Sequence, residues 1–190
     1  LRINEWLALG AAPFNNDFIE LYNPEALPVS LGGLYLSDEI LGWRDRHEIA
    51  ALSYIAGYGY QRFFADGAPS QGPEHLNFSL SGDQGAIGLY RPDLSPLDQV
   101  TYLAQWPNVS QGRSPNGSAT IVLFDQPTPG APNPLVSGPG PNGGLLVINE
   151  VLANNTSLVE SGRTPDWVEL YNGATTSLPE GIEITTWAER

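Results

Sequence analysis

Two glutamates that recur along the chain are the first candidates for chemistry. Glu5 and Glu20 each lie inside an alternating apolar pattern, and both return later as Glu150 and Glu169. A pair of carboxylates can act as general acid and general base. Buried carboxylates also occur in structural networks, held by backbone N–H groups or by an arginine, and Arg113 is the candidate partner. Recurrence suits a requirement of the fold as well as a site, and we favour the structural interpretation.

Acidic residues in two loop-like clusters are candidate metal ligands. Asn15-Asn16-Asp17 and Ser37-Asp38-Glu39 lie near the ends of apolar runs, so Asp17, Asp38 and Glu39 are the metal candidates. Calcium prefers such clustered oxygen ligands. The spacing of a calcium-binding loop is missing, and Asx residues also serve ordinary turns. We therefore expect no cofactor, with calcium left open as an alternative.

Catalytic motifs that depend on histidine, serine or cysteine are not found in the sequence. His47 and His75 are the two histidines, and neither lies in a zinc-binding spacing. The chain contains no Cys and has no nucleophile elbow. General bases and nucleophiles are therefore few, and we expect no catalytic residue and no enzymatic activity.

Composition excludes further classes of function. Eight basic residues, all of them Arg, stand against 21 acidic ones, which gives a net charge of −13. A protein that binds phosphate backbones or anionic lipid needs cations, so we expect neither nucleic-acid binding nor adhesion to such membranes. No apolar run approaches the roughly 18 residues of a spanning helix, so membrane insertion is not expected.

Aromatic side chains are the remaining candidates for ligand binding. Trp43, Trp106, Tyr58 and Tyr60 lie near turn-like segments and are the candidate binding residues. If they are exposed, such rings can stack on sugars or anchor a protein partner. The alternative is that they fill the core or close its ends, because aromatic residues usually contribute to core burial.

The elements that position these residues are predicted to be strands. Short alternating apolar runs are separated by Gly- and Pro-containing turns, as in a sandwich or barrel. In the segment 18–22, Ile19 and Leu21 share one face and Glu20 lies on the other. Glu48–Ser53 is the segment with room for a helical turn. The predicted strands are 2–7, 18–22, 60–65, 86–90, 100–103 and 120–124.

Three blocks of the first part of the chain return, in the same order, after a Gly- and Pro-rich stretch. This repeat predicts a complete domain over 1–134, a linker over 135–144 and an incomplete second repeat over 145–190. A segment as short as the last rarely stabilises a core alone, so its strands are expected to fray or to pair with the first copy or another molecule. The matching blocks are 3–5 with 148–150, 17–23 with 166–172, and 31–36 with 178–184.

Seven blocks follow one another along the chain, namely Ile3–Glu5, Asp17–Asn23, Leu31–Asp38, Trp43-Arg44, Asn77–Ser81, Val109–Gly117 and Gln126–Asn133. Together they resemble the lamin tail domain in its bacterial form. The resemblance covers 1–134 in full and 146–187 in part. It implies an immunoglobulin-like β-sandwich, of the kind that accompanies nuclease, phosphatase or kinase domains in secreted bacterial proteins and is usually non-catalytic itself.

The sequence thus predicts an all-β, immunoglobulin-like sandwich with a non-catalytic function. The expected role is an accessory, adhesion or spacer module of a larger secreted protein, extracellular or at the cell surface, that binds protein or glycan. The first alternative is a calcium-stabilised extracellular module. The second is a module that positions substrate for an enzyme domain elsewhere in the parent protein. Self-association through the incomplete repeat is a further expectation.

Overall fold

The chain divides into two compact units in a computed structural model. These units are Leu1–Ser137 and Gly138–Arg190. The structure describes residues 1–135, 146–157, 159 and 162–172. Most of the predicted linker and the third repeated block at 178–184 therefore lie outside the described residues. In the part that is described, no helix combines the length and apolar character needed to cross a membrane.

The first unit is built almost entirely from antiparallel strands. They are β1 (Arg2–Leu7), β2 (Phe18–Tyr22), β3 (Val29–Ser30), β4 (Tyr35–Ser37), β5 (His47–Glu48), β6 (Tyr54–Ile55), β7 (Tyr60–Phe64), β8 (Gly85–Tyr90), β9 (Pro96–Tyr102), β10 (Ser110–Arg113) and β11 (Ile121–Phe124). One sheet has the order β11-β10-β1-β2-β7, a second has the order β5-β4-β8-β9, and β3 pairs with β6. The predicted all-β sandwich is confirmed.

Two local predictions are corrected by the strand pattern. The helical turn expected at Glu48–Ser53 is wrong, because Glu48 ends β5 and an ordinary turn follows. The backbone there is extended, since the Ile49 N–H donates to the Leu34 carbonyl at 2.8 Å and the buried Ile49 side chain joins the core. The sequence also missed β10, a short polar strand without an apolar alternation.

The core lies between the two main sheets. The first sheet contributes Ile3, Ile19 and Leu21, and the second contributes Ile87 and Val100. Fully burying one such side chain contributes about 1.5–3 kcal/mol. The predicted alternation in β2 therefore holds for its apolar face, which leaves the intervening residues on the outer face of the sheet.

A polar segment crosses that outer face, and we call it the strap (residues 126–134). Its turn at Thr128–Ala131 has Pro129 in the second position and Gly130 at φ +85° in the third, as a type II turn requires. The Ala131 N–H closes the turn on the Thr128 carbonyl at 3.0 Å. A Cβ atom on Gly112 of β10 would lie 2.8 Å from the Asn133 amide nitrogen, so a glycine is needed beneath the strap.

The described part of the second unit is a hairpin that repeats the pairing of β1 with β2. Its strands are β12 (Leu146–Leu152) and β13 (Trp167–Asn172). Glu150 pairs with Glu169 just after a register shift, as Glu5 pairs with Glu20 in the first unit. The recurring residues thus give the same bulged register, although the loop between the two strands is four residues longer in the second unit.

Candidate functional site

Glu5 and Glu20 form a buried pair on adjacent strands. They are direct partners in the β1–β2 register, and the register shift between Ile3 and Glu5 makes Asn4 the extra residue of a bulge. Both glutamates are fully buried, although they lie on the outer face of the sheet, away from the apolar core. Side chains opposite each other on paired strands have Cβ atoms about 5 Å apart. The two carboxyl groups therefore share one small site under the strap.

Uncharged donors hold the Glu5 carboxyl group. The Ser110 hydroxyl donates to its Oε1 at 2.5 Å, and the Thr128 hydroxyl donates to its Oε2 at 3.1 Å. The Thr128 backbone N–H reaches both oxygens, at 2.9 and 3.2 Å. Burial raises the pKa of Glu5, and these hydrogen bonds only partly offset the cost of removing the charge from water.

Glu20 is the more strongly perturbed member of the pair. The Gly130 N–H donates to its Oε2 at 2.5 Å, and the Asn4 amide donates to its Oε1 at 3.5 Å. Burial, joined by the negative charge of Glu5, raises the pKa of Glu20 to about 7. Arg62 acts in the opposite direction, but its guanidinium lies over the Phe64 ring, 4.4 Å from the ring centroid. At neutral pH the pair therefore holds a proton for part of the time.

Asparagine side chains connect the strap to the rest of the sheet. The Asn133 amide donates to the carbonyls of Asn4 and Arg113, at 3.0 and 2.9 Å. The Asn116 side chain accepts from the Asn133 backbone N–H at 2.9 Å and donates to the Tyr60 hydroxyl at 2.6 Å. The strap is thus attached through polar contacts, and Tyr60 belongs to the same network.

Arg113 is not the partner of either glutamate, which corrects the pairing predicted from the sequence. Its guanidinium makes a two-pronged contact with Asp98 at 3.0 and 3.1 Å and donates to the Ile3 carbonyl at 2.8 Å. The reason is the alternation of β10, where Gly112 lies opposite Glu5 and Arg113 therefore points to the other face. Sequence reasoning missed Asp98 entirely, because nothing in its spacing links it to Arg113.

The three metal candidates do not form one site. Asp17 accepts the Gly10 N–H at 2.8 Å, while Asp38 forms an ion pair with Arg46. Burial raises the pKa of Asp38 even though Arg46 opposes that shift. Glu39 is the neighbour of Asp38, and across the described residues no three Asp, Glu or His side chains gather as a metal-binding group. Calcium binding remains an untested alternative.

The two histidines have separate local roles. The Nδ1 of His75 lies 2.7 Å from an Asp66 oxygen, and its ring stacks on Phe64 with the centroids 4.8 Å apart. The His47 Nδ1 accepts the Asn77 N–H at 3.2 Å, and burial lowers the pKa of His47. His75 is thus held within its own loop, whereas His47 of β5 contacts that loop at Asn77.

The four aromatic candidates fall into two groups. Trp43, Trp106 and Tyr58 are exposed, whereas Tyr60 is half-buried and stacks on Tyr22 with the ring centroids 5.1 Å apart. Tyr58 and Tyr60 lie where β7 begins, at the Tyr22 end of β2. The structure thus places these tyrosines apart from the tryptophans.

One end of the sandwich collects large exposed apolar side chains, and we call it the apolar end. Its exposed fractions are 41% for Leu9, 90% for Leu41, 53% for Trp43, 75% for Leu103 and 67% for Trp106. The Asn108 N–H donates to the Leu9 carbonyl at 3.1 Å, which brings the loop after β9 beside the end of β1. Segments 38–41, 84–86 and 101–103 line a cleft of about 430 Å³, with Leu41 and Leu103 both on its wall.

The side chain of Arg46 connects the apolar end to the acidic loop. Its guanidinium lies 5.1 Å from the Trp43 ring centroid and 5.2 Å from that of Phe78, and it pairs with Asp38. Such cation–π contacts restrict the ring and leave one of its faces for a ligand. Trp43 is therefore held in place even though it is exposed.

Comparisons with known proteins give no match of any kind. No protein-family model matches the chain. No curated protein and no solved structure matches it either. The resemblance to the lamin tail domain therefore rests on the seven sequence blocks alone.

Proposed function

We propose that this chain is a non-catalytic accessory module of a larger secreted bacterial protein, and that its apolar end binds a protein or glycan partner. The observation that carries the proposal is the cleft of about 430 Å³ at this end, whose wall holds the exposed Leu41 and Leu103. The exposed Trp43 and Trp106 follow in the same two loops. Contiguous apolar surface on a protein marks an interaction site more often than scattered residues do. The resemblance to secreted lamin tail domains supports the same class of function.

The composition of this surface supports partner binding in particular. Tryptophan is enriched among the residues that dominate binding energy at interfaces. Trp43 and Trp106 are both exposed there, and Leu41 and Leu103 flank a cleft beside the acidic residues Asp38 and Glu39. A protein or glycan that covers this end would bury apolar area while its polar groups meet the acidic rim.

The burial of the carboxylate pair supports a role without catalysis. Glu5 and Glu20 are fully buried, and four of their hydrogen bonds come from backbone and side-chain donors of the strap. A general acid or base must come within hydrogen-bond reach of its substrate. The strap occupies the place that such a substrate would need, which favours a structural role for the pair.

The test is a binding screen of the full chain against immobilised glycans and candidate extracellular proteins. We expect at least one partner, with binding lost in the Leu103→Ala/Trp106→Ala double variant. Tyr58→Ala is the matched control, because Tyr58 is also exposed but lies at the other end. A glycan partner would favour the role in positioning substrate for an enzyme domain. Partners that bind the double variant as well as the wild type would contradict the proposal.

A further inference from the structure

We propose that Glu5 and Glu20 form a proton-dependent latch, which fixes the strap to the sheet when the pair carries a proton and releases it when both carboxylates are charged. This device is independent of the apolar end and of any partner bound there. It depends on how the strap is attached, on which charges surround the pair, and on where water can enter.

The strap is held to the pair by two backbone N–H groups that are two residues apart. The Thr128 N–H reaches Glu5, and the Gly130 N–H, two residues later, reaches Glu20. Both donors belong to the type II turn, so movement of that turn breaks both attachments at once. Asn133 is the one buried residue of the strap, and its own contacts are polar. The strap therefore depends on hydrogen bonds rather than on apolar burial.

The charged groups around the pair do not neutralise it. The strap contains no titratable side chain, and Ser110 and Gly112 of β10 and Asn4 of β1 are uncharged. On β7, Arg62 is the partner of Glu20 in register. Its guanidinium lies over the Phe64 ring and forms no ion pair among residues 1–135. The phenol of Tyr60, also on β7, is uncharged at neutral pH, because burial raises its pKa above the ordinary value.

Protonation decides how the two carboxyl groups interact. With one proton on the pair, one carboxyl group is neutral and the site carries a single charge. With two charges, like groups on adjacent strands repel each other in a site that excludes water. Lifting the strap admits water to both carboxylates and relieves that repulsion, while the apolar core on the opposite face stays intact.

The size of the effect follows from proton linkage. With the pKa of Glu20 raised to about 7 under the strap and near 4.5 when the site is open to water, the strap-docking equilibrium weakens about tenfold between pH 6 and pH 8. The strap is the element that responds directly, because no other element contacts both glutamates through hydrogen bonds within residues 1–135.

The test is residue-resolved amide exchange on the full chain at pH 6 and pH 8, corrected for the intrinsic rate at each pH. We expect protection at Thr128 and Gly130 to fall about tenfold from pH 6 to pH 8, as the docking equilibrium does. Thr128 and Gly130 should exchange faster than Ile87 and Val100, in the other sheet, at both pH values, because the strap opens without global unfolding. In Glu20→Gln, which cannot become charged, the strap should keep its pH 6 protection at pH 8.

The same exchange experiment includes a control variant and has outcomes that would contradict the latch. Glu74→Gln, an exposed site in the same unit, should keep the wild-type pH dependence. Equal strap protection at both pH values in the wild type would overturn the latch. So would equal protection at Thr128 and Val100 at each pH, because the strap would then open only when the whole unit unfolds. If Glu20→Gln fails to fold, the wild-type comparison of strap and core still decides, and Glu5→Gln takes its place.

Discussion

Replacing Glu20 with glutamine is expected to remove most of an unusual pH dependence of stability. Burial and the nearby charge of Glu5 raise the pKa of Glu20 from 4.5 to about 7 in the folded chain. The folded state therefore binds the proton more tightly than the unfolded state does. The stabilisation is complete below pH 4.5 and is lost as the pH rises through 7. The raised pKa of Glu5 acts in the same direction.

The magnitude follows from the size of that difference. One unit of pKa difference between the folded and unfolded states corresponds to 1.36 kcal/mol, so Glu20 alone accounts for about 3 kcal/mol across the full range. Most of this loss develops between pH 5 and pH 8. Glutamine stays neutral and can still accept the Gly130 N–H, so the variant should match the wild type at pH 5. At pH 8 the variant should exceed the wild type by about 2–3 kcal/mol.

The assay is urea unfolding at pH 5 and pH 8, followed by tryptophan fluorescence, because Trp6 is fully buried in the core of this unit. Glu74→Gln is the control for removing one negative charge from a chain of net charge −13. The reasoning is refuted if Glu20→Gln and the wild type differ by the same amount at both pH values, or if the variant is the less stable protein at pH 8.

Three further predictions concern the same unit. Glu5→Ala leaves the Thr128 N–H without its acceptor and should lower the free energy of unfolding by about 1–3 kcal/mol in a denaturation assay. Partner binding at the apolar end should be unchanged, and unaltered stability would contradict a structural role for Glu5. Asp98→Ala leaves the buried Arg113 guanidinium without its carboxylate and should lower the free energy of unfolding by about 3–5 kcal/mol in the same assay. A decrease below about 1 kcal/mol would contradict a stabilising role for this ion pair. Because Asp38 is already paired with Arg46, a chelator should leave the calorimetric melting temperature unchanged, and a sizeable drop would instead favour the calcium-stabilised module.

Much of the framework was predictable because local patterns determine it. The alternation in segment 18–22 separates Ile19 and Leu21 from Glu20, and the structure buries both apolar side chains completely in the core. Glu5 and Glu20 were selected because their blocks recur, and the second hairpin repeats their register through Glu150 and Glu169. Strand periodicity and repetition are properties of short segments, so they can be read without knowing the tertiary fold.

The partners of the candidate residues were not predictable in the same way. Burial of Glu5 depends on Thr128, which is more than one hundred residues away and follows no strand pattern. The pairing of Arg113 with Asp98 depends on which face of β10 each residue takes, and β10 itself was not recognised. The sequence does contain a turn motif in the strap, because Pro129-Gly130 is typical of a type II turn. The motif does not indicate which residues the turn covers.

The exposed aromatic residues show a similar limit. Trp43, Trp106, Tyr58 and Tyr60 were grouped by residue type, because sequence alone does not reveal which end of a sandwich a loop occupies. The structure separates them into an apolar end with two tryptophans and an opposite end where Tyr60 joins a hydrogen-bond network. The proposed binding surface therefore includes the two tryptophans and does not include Tyr60.

Self-association through the second repeat stays a prediction. In the hairpin of β12 and β13, Val151 and Val168 are exposed. Apolar side chains on a hairpin favour pairing with further strands. Sedimentation of the full chain over a range of concentrations would detect such pairing, and a single monomeric species at every concentration would contradict it.

A carboxyl-carbon NMR titration of Glu5 and Glu20 in the full chain tests the central structural claim most directly. The claim is that a buried pair without a contacting cation keeps a proton near neutral pH and thereby holds the strap. The account predicts that Glu20 titrates near pH 7 and that Glu5 titrates above its ordinary value of 4.5. It also predicts that the Gly130 amide signal shifts with the same midpoint as Glu20. Titration of both carboxyl groups at or below 4.5, with no response at Gly130, would contradict it.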